Sequence, residues 1–147
     1  MTRRTRTLAQ IVKVRDVQES AARLAVARAN GDLQRLADEK AETVERLDAR
    51  EAAWQAAVAG PRLDPGVNAA WSAAVVEGGE QLRDVDRRIA ETEARKDDLS
   101  RGWRTALTKS DVARDLAGKA KRRAERAREE AALADLADRI AGRGRQS

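Results

Sequence analysis

The chain has 147 residues, a formal net charge of +5, and no cysteine, histidine, phenylalanine or tyrosine. Its 31 Ala, 12 Leu, 12 Glu and 30 Lys plus Arg make 58% of the sequence, a bias of long helices and coiled coils. Leu, Ile and Val supply only 18%, too little for a thick globular core, so a compact enzyme is not expected.

The missing residue types exclude whole chemistries. Without Cys or His there is no disulfide frame, no zinc site of the usual ligands, and no thiol or imidazole catalysis. Carboxylate pairs would need a pocket to shift their pKa values, which a thin bundle does not offer. Ser20, Ser72, Ser100, Ser110 and Ser147 have no base of the usual type nearby. Gly78-Gly79 is followed by Glu80 and Gln81, so it is no phosphate-binding loop. No apolar run approaches the ~20 residues that span a bilayer. MTRRTRT at the start is followed by no apolar core, so a secretory signal is not expected and a cytoplasmic protein is the default.

The first 60 residues read as one helix, about 8–59. Val12, Val26, Leu33, Leu47 and Trp54 share a heptad position with Glu19 and Lys40. The neighbouring position holds Ala9, Ala37, Val44 and Val58, but also Asp16, Arg23, Asn30 and Glu51. Leu8, Ile11, Val14, Val17, Ala21 and Leu24 suggest another stripe. Either the register shifts, or a second face meets something else. Both prolines then fall in GPRLDPG, which places a turn at 60–66, with Gly60 and Gly66 supplying turn conformations.

A second helix is expected over about 67–141, with a basic tail at 142–147. Stepping alternately by three and four from Leu82 meets Val85, Ile89, Thr92, Lys96, Leu99, Trp103, Ala106, Ser110, Ala113, Ala117, Ala120, Ala124, Ala127, Ala131 and Ala134. Going backward, Gly78, Val75 and Trp71 extend this seam to the turn. The expected fold is all-α: two long helices in an antiparallel coiled-coil hairpin, a single domain over 1–147.

Folding at residue 63 pairs positions that sum to about 126. Trp54 then faces Trp71, Leu47 and Val44 approach Gly78 and Leu82, Leu33 meets Thr92, and Val26 meets Leu99. Asn30 falls opposite Lys96, a polar seam pair that would fix register. Arg23 falls beside Trp103, suggesting a cation–π contact. Leu8 lies opposite about residue 118, so residues 119–141 would overhang helix 1.

Three features are candidates for function. Lys119, Lys121, Arg122, Arg123, Arg126 and Arg128 crowd one stretch that holds a single acid, Glu125, and Arg3, Arg4, Arg6, Lys13 and Arg15 would lie at the same end. They suit an acidic partner or nucleic acid. The alternative is a solvated face with intrahelical pairs such as Arg122–Glu125, Arg126–Glu129 and Arg126–Glu130, but the unpaired Ala stripe under the charges favours a partner. Trp54 and Trp71 are either a clasp at the turn or a partner's anchor. The stripe of Ile11, Val14, Val17 and Leu24, with Leu107, Val112 and Leu116, either binds another protein or reflects a local register adjustment. Against nucleic acid stand 25 interspersed acids and no aromatic stacking platform.

Several segments together resemble a known family. They are LAQIVKVRDVQESAARLAVAR at 8–28, the turn followed by Trp71, GWR at 102–104, and RRAERAREEAALADLADR at 122–139. The chain resembles the flagellar type III export protein FliJ over nearly its whole length. The resemblance implies a non-enzymatic antiparallel coiled-coil stalk similar to the rotor stalk of rotary ATPases, with no cofactor. It implies that the termini end engages the pore of the hexameric export ATPase, which here assigns Arg3, Arg4, Arg6, Lys119, Lys121, Arg122, Arg123, Arg126 and Arg128. It implies that the turn end, with Trp54 and Trp71, reaches the cytoplasmic ring of the export gate membrane protein. Cycling of export chaperones and a peripheral position at the flagellar base follow from the same likeness. Where family members often show exposed aromatics, this chain has Asp38, Glu42, Glu45 and Ala49. Two other readings are a coiled-coil adaptor or stalk of another secretion or rotary ATPase, and a basic nucleic-acid-associated helical protein.

Overall fold

The computed structural model describes every residue except Met1, Leu63 and Ser147. It is an all-α helical hairpin: α1 spans Arg3–Val58 and α2 spans Pro65–Gln146. The expected pivot, residue 63, lies outside the described residues, as does Ser147.

The boundaries follow from local chemistry. Thr2 caps α1, its hydroxyl accepting from the Thr5 amide at 3.2 Å. That cap and the helix-favouring arginines behind it start α1 five residues before the expected position 8. Pro61 cannot continue α1. Asp64 caps α2, its carboxylate accepting from the Gly66 amide at 2.9 Å, and Pro65 opens the helix, where its missing N–H costs nothing. Gly60 and Gly66 were expected to supply special turn conformations, but no glycine among the described residues has a positive φ. Residues 142–146, expected as a tail, continue α2.

The chain divides into two compact units, Leu24–Arg101 and Met1–Arg23 with Gly102–Ser147.

In the unit Leu24–Arg101, α1 and α2 pair antiparallel through a thin seam. Val26, Ala29 and Val85 are its buried apolar residues, with Thr43 buried beside them. Leu33, Leu36, Leu47 and Trp54 of α1, and Trp71, Leu82, Ile89, Lys96 and Leu99 of α2, are half-buried along the same line. The α2 seam therefore runs through the residues its sequence spacing indicates.

On α1 the first heptad position holds as expected, but the second does not. The inward residues are Ala29, Leu36, Thr43 and Arg50, one step before the expected Asn30, Ala37, Val44 and Glu51. Val44 is half-buried at the seam edge, while Asn30 is exposed, so no Asn30–Lys96 layer forms. The seam needs no register shift: an unbroken three–four alternation reads through Leu8, Val12, Arg15, Glu19, Ala22, Val26, Ala29 and Leu33.

Ion pairs and one close approach set the level of the helices in this unit. Arg88 reaches Glu39 with two guanidinium nitrogens, at 2.5 and 3.2 Å, and Lys40 meets Asp86 at 2.7 Å. Arg95 meets Asp32 at 3.0 Å, and Arg50 donates to the Ala74 carbonyl at 3.2 Å. Gly78 is buried against Leu47; a Cβ there would lie 2.8 Å from its Cδ1. These partners sum to 124–127 in residue number, matching the pairing expected from the sequence.

In the unit Met1–Arg23 with Gly102–Ser147 the seam is polar. Ser110 is 1% exposed and donates to Asp16 at 2.6 Å, and Arg114 donates to the same carboxylate oxygen at 2.8 Å. Trp103 is half-buried and donates from its indole N–H to Glu19 at 2.9 Å. Arg23 is exposed and lies 3.8 Å from Glu19, so Glu19, not Arg23, is the polar partner of Trp103. Ala113 is buried and Leu8, Val12 and Ala106 half-buried. Small Ala residues let the axes approach closely but bury little area each.

Candidate partner-binding surfaces

The basic segment belongs to the unit Met1–Arg23 with Gly102–Ser147. Lys119, Lys121, Arg122, Arg123, Arg126 and Arg128 are all exposed, as are Arg3, Arg4 and Arg6. Thr2, Ala124, Ala127, Arg128 and Ala131 line one shallow groove, which places the first turn of α1 at the level of the basic stretch of α2. The two basic clusters are therefore brought together, as expected. The overhang is shorter than the expected 119–141, because α1 begins early: Ala120 and Ala124 are half-buried, and continuous exposure starts at Glu125.

Lys119 pairs with Asp115 at 3.0 Å. Among the described residues, Lys121, Arg122, Arg123, Arg126 and Arg128 form no ion pair with a carboxylate, so the expected helical pairs to Glu125, Glu129 and Glu130 are not made. Five unpaired cations within eight positions of one helix create a strong local positive potential. Beyond them Leu133, Leu136 and Ile140 are 66, 53 and 63% exposed and share one face, among Glu129, Glu130, Asp135 and Asp138.

The second stripe is exposed as well. Ile11, Val14 and Val17 of α1 and Leu107, Val112 and Leu116 of α2 stand in solvent. A groove of about 260 Å³ runs between the helices here, lined by Leu8, Ile11, Val112, Ala113 and Leu116, with Arg15, Thr108 and Lys109 at its rim. Its walls are mostly apolar and its only charges are positive.

In the unit Leu24–Arg101, Trp54 donates its indole N–H to Asn68 at 2.8 Å across the turn. Trp54 and Trp71 are both half-buried. A small apolar groove beside Trp54 is completed by Gln55, Val58 and Ala59. Trp54 therefore ties α1 to α2 across the turn and forms one wall of this groove. Asn68 was missed in the sequence reading; its amide side chain one turn into α2 was the only signal.

Two further grooves of this unit are lined mainly by charged residues. One is lined by Glu39, Arg46, Arg50, Asp84 and Arg88 among others. Hydrogen bonding to Glu39 holds the Arg88 guanidinium above its ordinary pKa, and Arg87 beside Asp84 holds that carboxyl below the usual carboxylate range. The described residues contain no group of three carboxylates that could hold a metal ion. No helix among them is long and apolar enough to cross a membrane.

No protein-family model, curated protein or solved structure matches the chain.

Proposed function

We propose that this chain is a non-enzymatic coiled-coil stalk of the flagellar type III export apparatus. Its basic end binds and stimulates the hexameric export ATPase. The observation that carries the reading is the cluster of exposed, unpaired cations at Lys121–Arg128, set beside Arg3, Arg4 and Arg6 and continued by an unpartnered apolar stripe. Such a surface suits an acidic, partly apolar socket. The other end meets the export gate through Trp54 and Trp71, and the exposed stripes of α1 serve export chaperones. The protein works in the cytoplasm, peripheral to the membrane at the flagellar base.

The test is charge reversal of Arg122, Arg123 and Arg126 to Glu. Stimulation of the export ATPase is expected to disappear while the thermal melt stays nearly unchanged, because these side chains are exposed and unpaired. Full stimulation by the variant contradicts the reading. A second reading, a nucleic-acid-associated helical protein, draws on the same unpaired arginines. It requires a DNA gel shift that weakens steeply with salt.

A further inference from the structure

We propose that one side of the unit Met1–Arg23 with Gly102–Ser147 rests on an anionic lipid bilayer. Ile11, Val14, Val112 and Leu116 enter the headgroup layer, and Arg4, Arg15, Lys109, Lys119 and Arg123 meet lipid phosphates. The export reading sets the chain beside the membrane without giving it a lipid contact; the proposal goes beyond that reading and does not rest on it.

Both helices present matched lines of residues to this side. On α1, Arg4, Leu8, Ile11 and Arg15 are spaced by four, three and four. On α2, Lys109, Val112, Leu116, Lys119 and Arg123 are spaced by three, four, three and four. Such spacing keeps each line on one helix face. The groove of about 260 Å³ runs between them, with Leu8, Ile11 and Arg15 on one wall and Lys109, Val112 and Leu116 on the other. Ile11, Val112 and Leu116 are 40, 53 and 49% exposed, and Val14, one turn from Ile11, is 55% exposed. Each line carries its aliphatic residues in the middle and its cations at the ends.

Charge selects the occupant. The two lines hold five cations and no acid, and of the five only Lys119 has a carboxylate partner on its own helix, Asp115. The other nearby acids are engaged elsewhere: Asp16 accepts from Ser110 and Arg114, and Glu19 accepts from Trp103. Asp111 sits one residue before Val112, about 100° round the helix. An anionic surface therefore meets a net positive face.

The side chains favour lipid over protein. All the apolar residues of the face are branched aliphatics, and Trp, Tyr, Phe and Met, which anchor protein interfaces, are absent from both lines. Lys, two of the five cations, is depleted at protein interfaces. Long Lys and Arg stems lie along an aliphatic strip while their charged heads reach the phosphates, as in helices that rest in a membrane interface. Arg4, Lys119 and Arg123 are also assigned above to the ATPase, and Ile11 and Val14 to chaperones, so the bilayer competes with both.

The full chain is tested by sedimentation with vesicles of phosphatidylcholine alone, or of phosphatidylcholine and phosphatidylglycerol in equal parts. The chain should follow the anionic vesicles and stay in solution with the neutral ones. Ile11→Gln with Leu116→Gln leaves the charge unchanged and should weaken binding to anionic vesicles by about tenfold, with helical circular dichroism unchanged. Arg15→Gln with Lys109→Gln should weaken it by a similar factor. A wild-type chain that ignores anionic vesicles overturns the proposal and leaves the groove to a partner protein. Full binding by the Ile11→Gln, Leu116→Gln variant means attraction by charge alone and overturns it as well. A second readout locates the face with spin labels on single cysteines, since the chain has none of its own. On anionic vesicles a label at Val112→Cys should lose access to a water-soluble nickel complex. One at Lys13→Cys, about 200° round α1 from Ile11, should keep it. Equal access at the two positions overturns the proposal. Neither readout involves an ATPase, so its failure is separate from failure of the export reading.

Discussion

Single residues decide how closely these helices approach. Gly78 and Gly79 are neighbours with opposite demands: a Cβ at 78 meets Leu47, whereas one at 79 meets nothing within 4 Å. Gly79→Ala should therefore stabilise the protein by about 1 kcal/mol, the helix-propensity gain alone. Gly78→Val should destabilise it, because a branched side chain cannot share that space with Leu47. Val85, 2% exposed, is the best-buried large apolar side chain of the seam, and Val85→Ala should cost about 2 kcal/mol from lost methyl burial and the gap left behind. Urea unfolding of the three variants checks all of this; a destabilising Gly79→Ala would refute the open-space reading.

Asp16 gives the residue scale a pH signature. Its hydrogen bond from Ser110, then the one from Arg114, hold its carboxyl below the ordinary value of 3.8. A carboxyl lowered by folding contributes stability above its unfolded pKa and loses it as pH falls through the lowered value. Asp16→Asn should therefore melt below wild type at neutral pH, and the two should converge below about pH 4. A gap that persists unchanged at pH 2 would mean the charge is not what matters. Burial of the serine was not legible, because Ser110 looked like an interruption of the α2 seam until Asp16 supplied a partner.

At the scale of elements, the contrast between the helices explains what the sequence made readable. The α2 seam could be traced because Trp71, Leu82, Val85, Ile89, Leu99 and Trp103 mark it with large side chains at three–four spacing. In α1 only one position is so marked. The other has only Leu8 and Leu36 as large apolar markers; the rest is Ala22 and Ala29, too small to stand out, Thr43, whose buried hydroxyl bonds the Glu39 carbonyl, and Arg15 and Arg50, whose stems lie in the seam. Exposed Val14, Val17 and Val58 drew attention to the wrong faces. Register was nonetheless recoverable, since the pairing rule depended on the turn and the α2 seam rather than on α1's second position.

The same register makes an element-scale prediction. Glu39→Arg should destabilise the Leu24–Arg101 unit by breaking its pairing with Arg88, and the swap Glu39→Arg with Arg88→Glu should recover most of the loss. Thermal melts of the two single variants and the double variant form the cycle. Simple additivity would show that the pair does not set register.

At the scale of the molecule, composition has become placement. Sequence alone foresaw that the alanines form a seam and that the arginines gather where α2 outruns α1. It placed the end of α1's overlap with α2 too early, near residue 118, since a single capping threonine extends α1 and brings Thr2 beside Ala124. It also could not tell whether the arginines pair along their own helix. Their freedom from carboxylate partners is what turns a solvated face into a candidate binding surface. Trp54, by contrast, is half-buried and has its indole N–H occupied by Asn68.

The central claim is that the basic stretch of α2 is the partner-binding surface. Equilibrium binding of the full chain to the purified hexameric export ATPase tests it most directly. Arg122→Glu, Arg123→Glu and Arg126→Glu together should weaken binding by at least about tenfold, while Trp54→Ala leaves it unchanged. Equal affinity of the wild type and the triple variant, or a loss that follows Trp54 instead, would contradict the account.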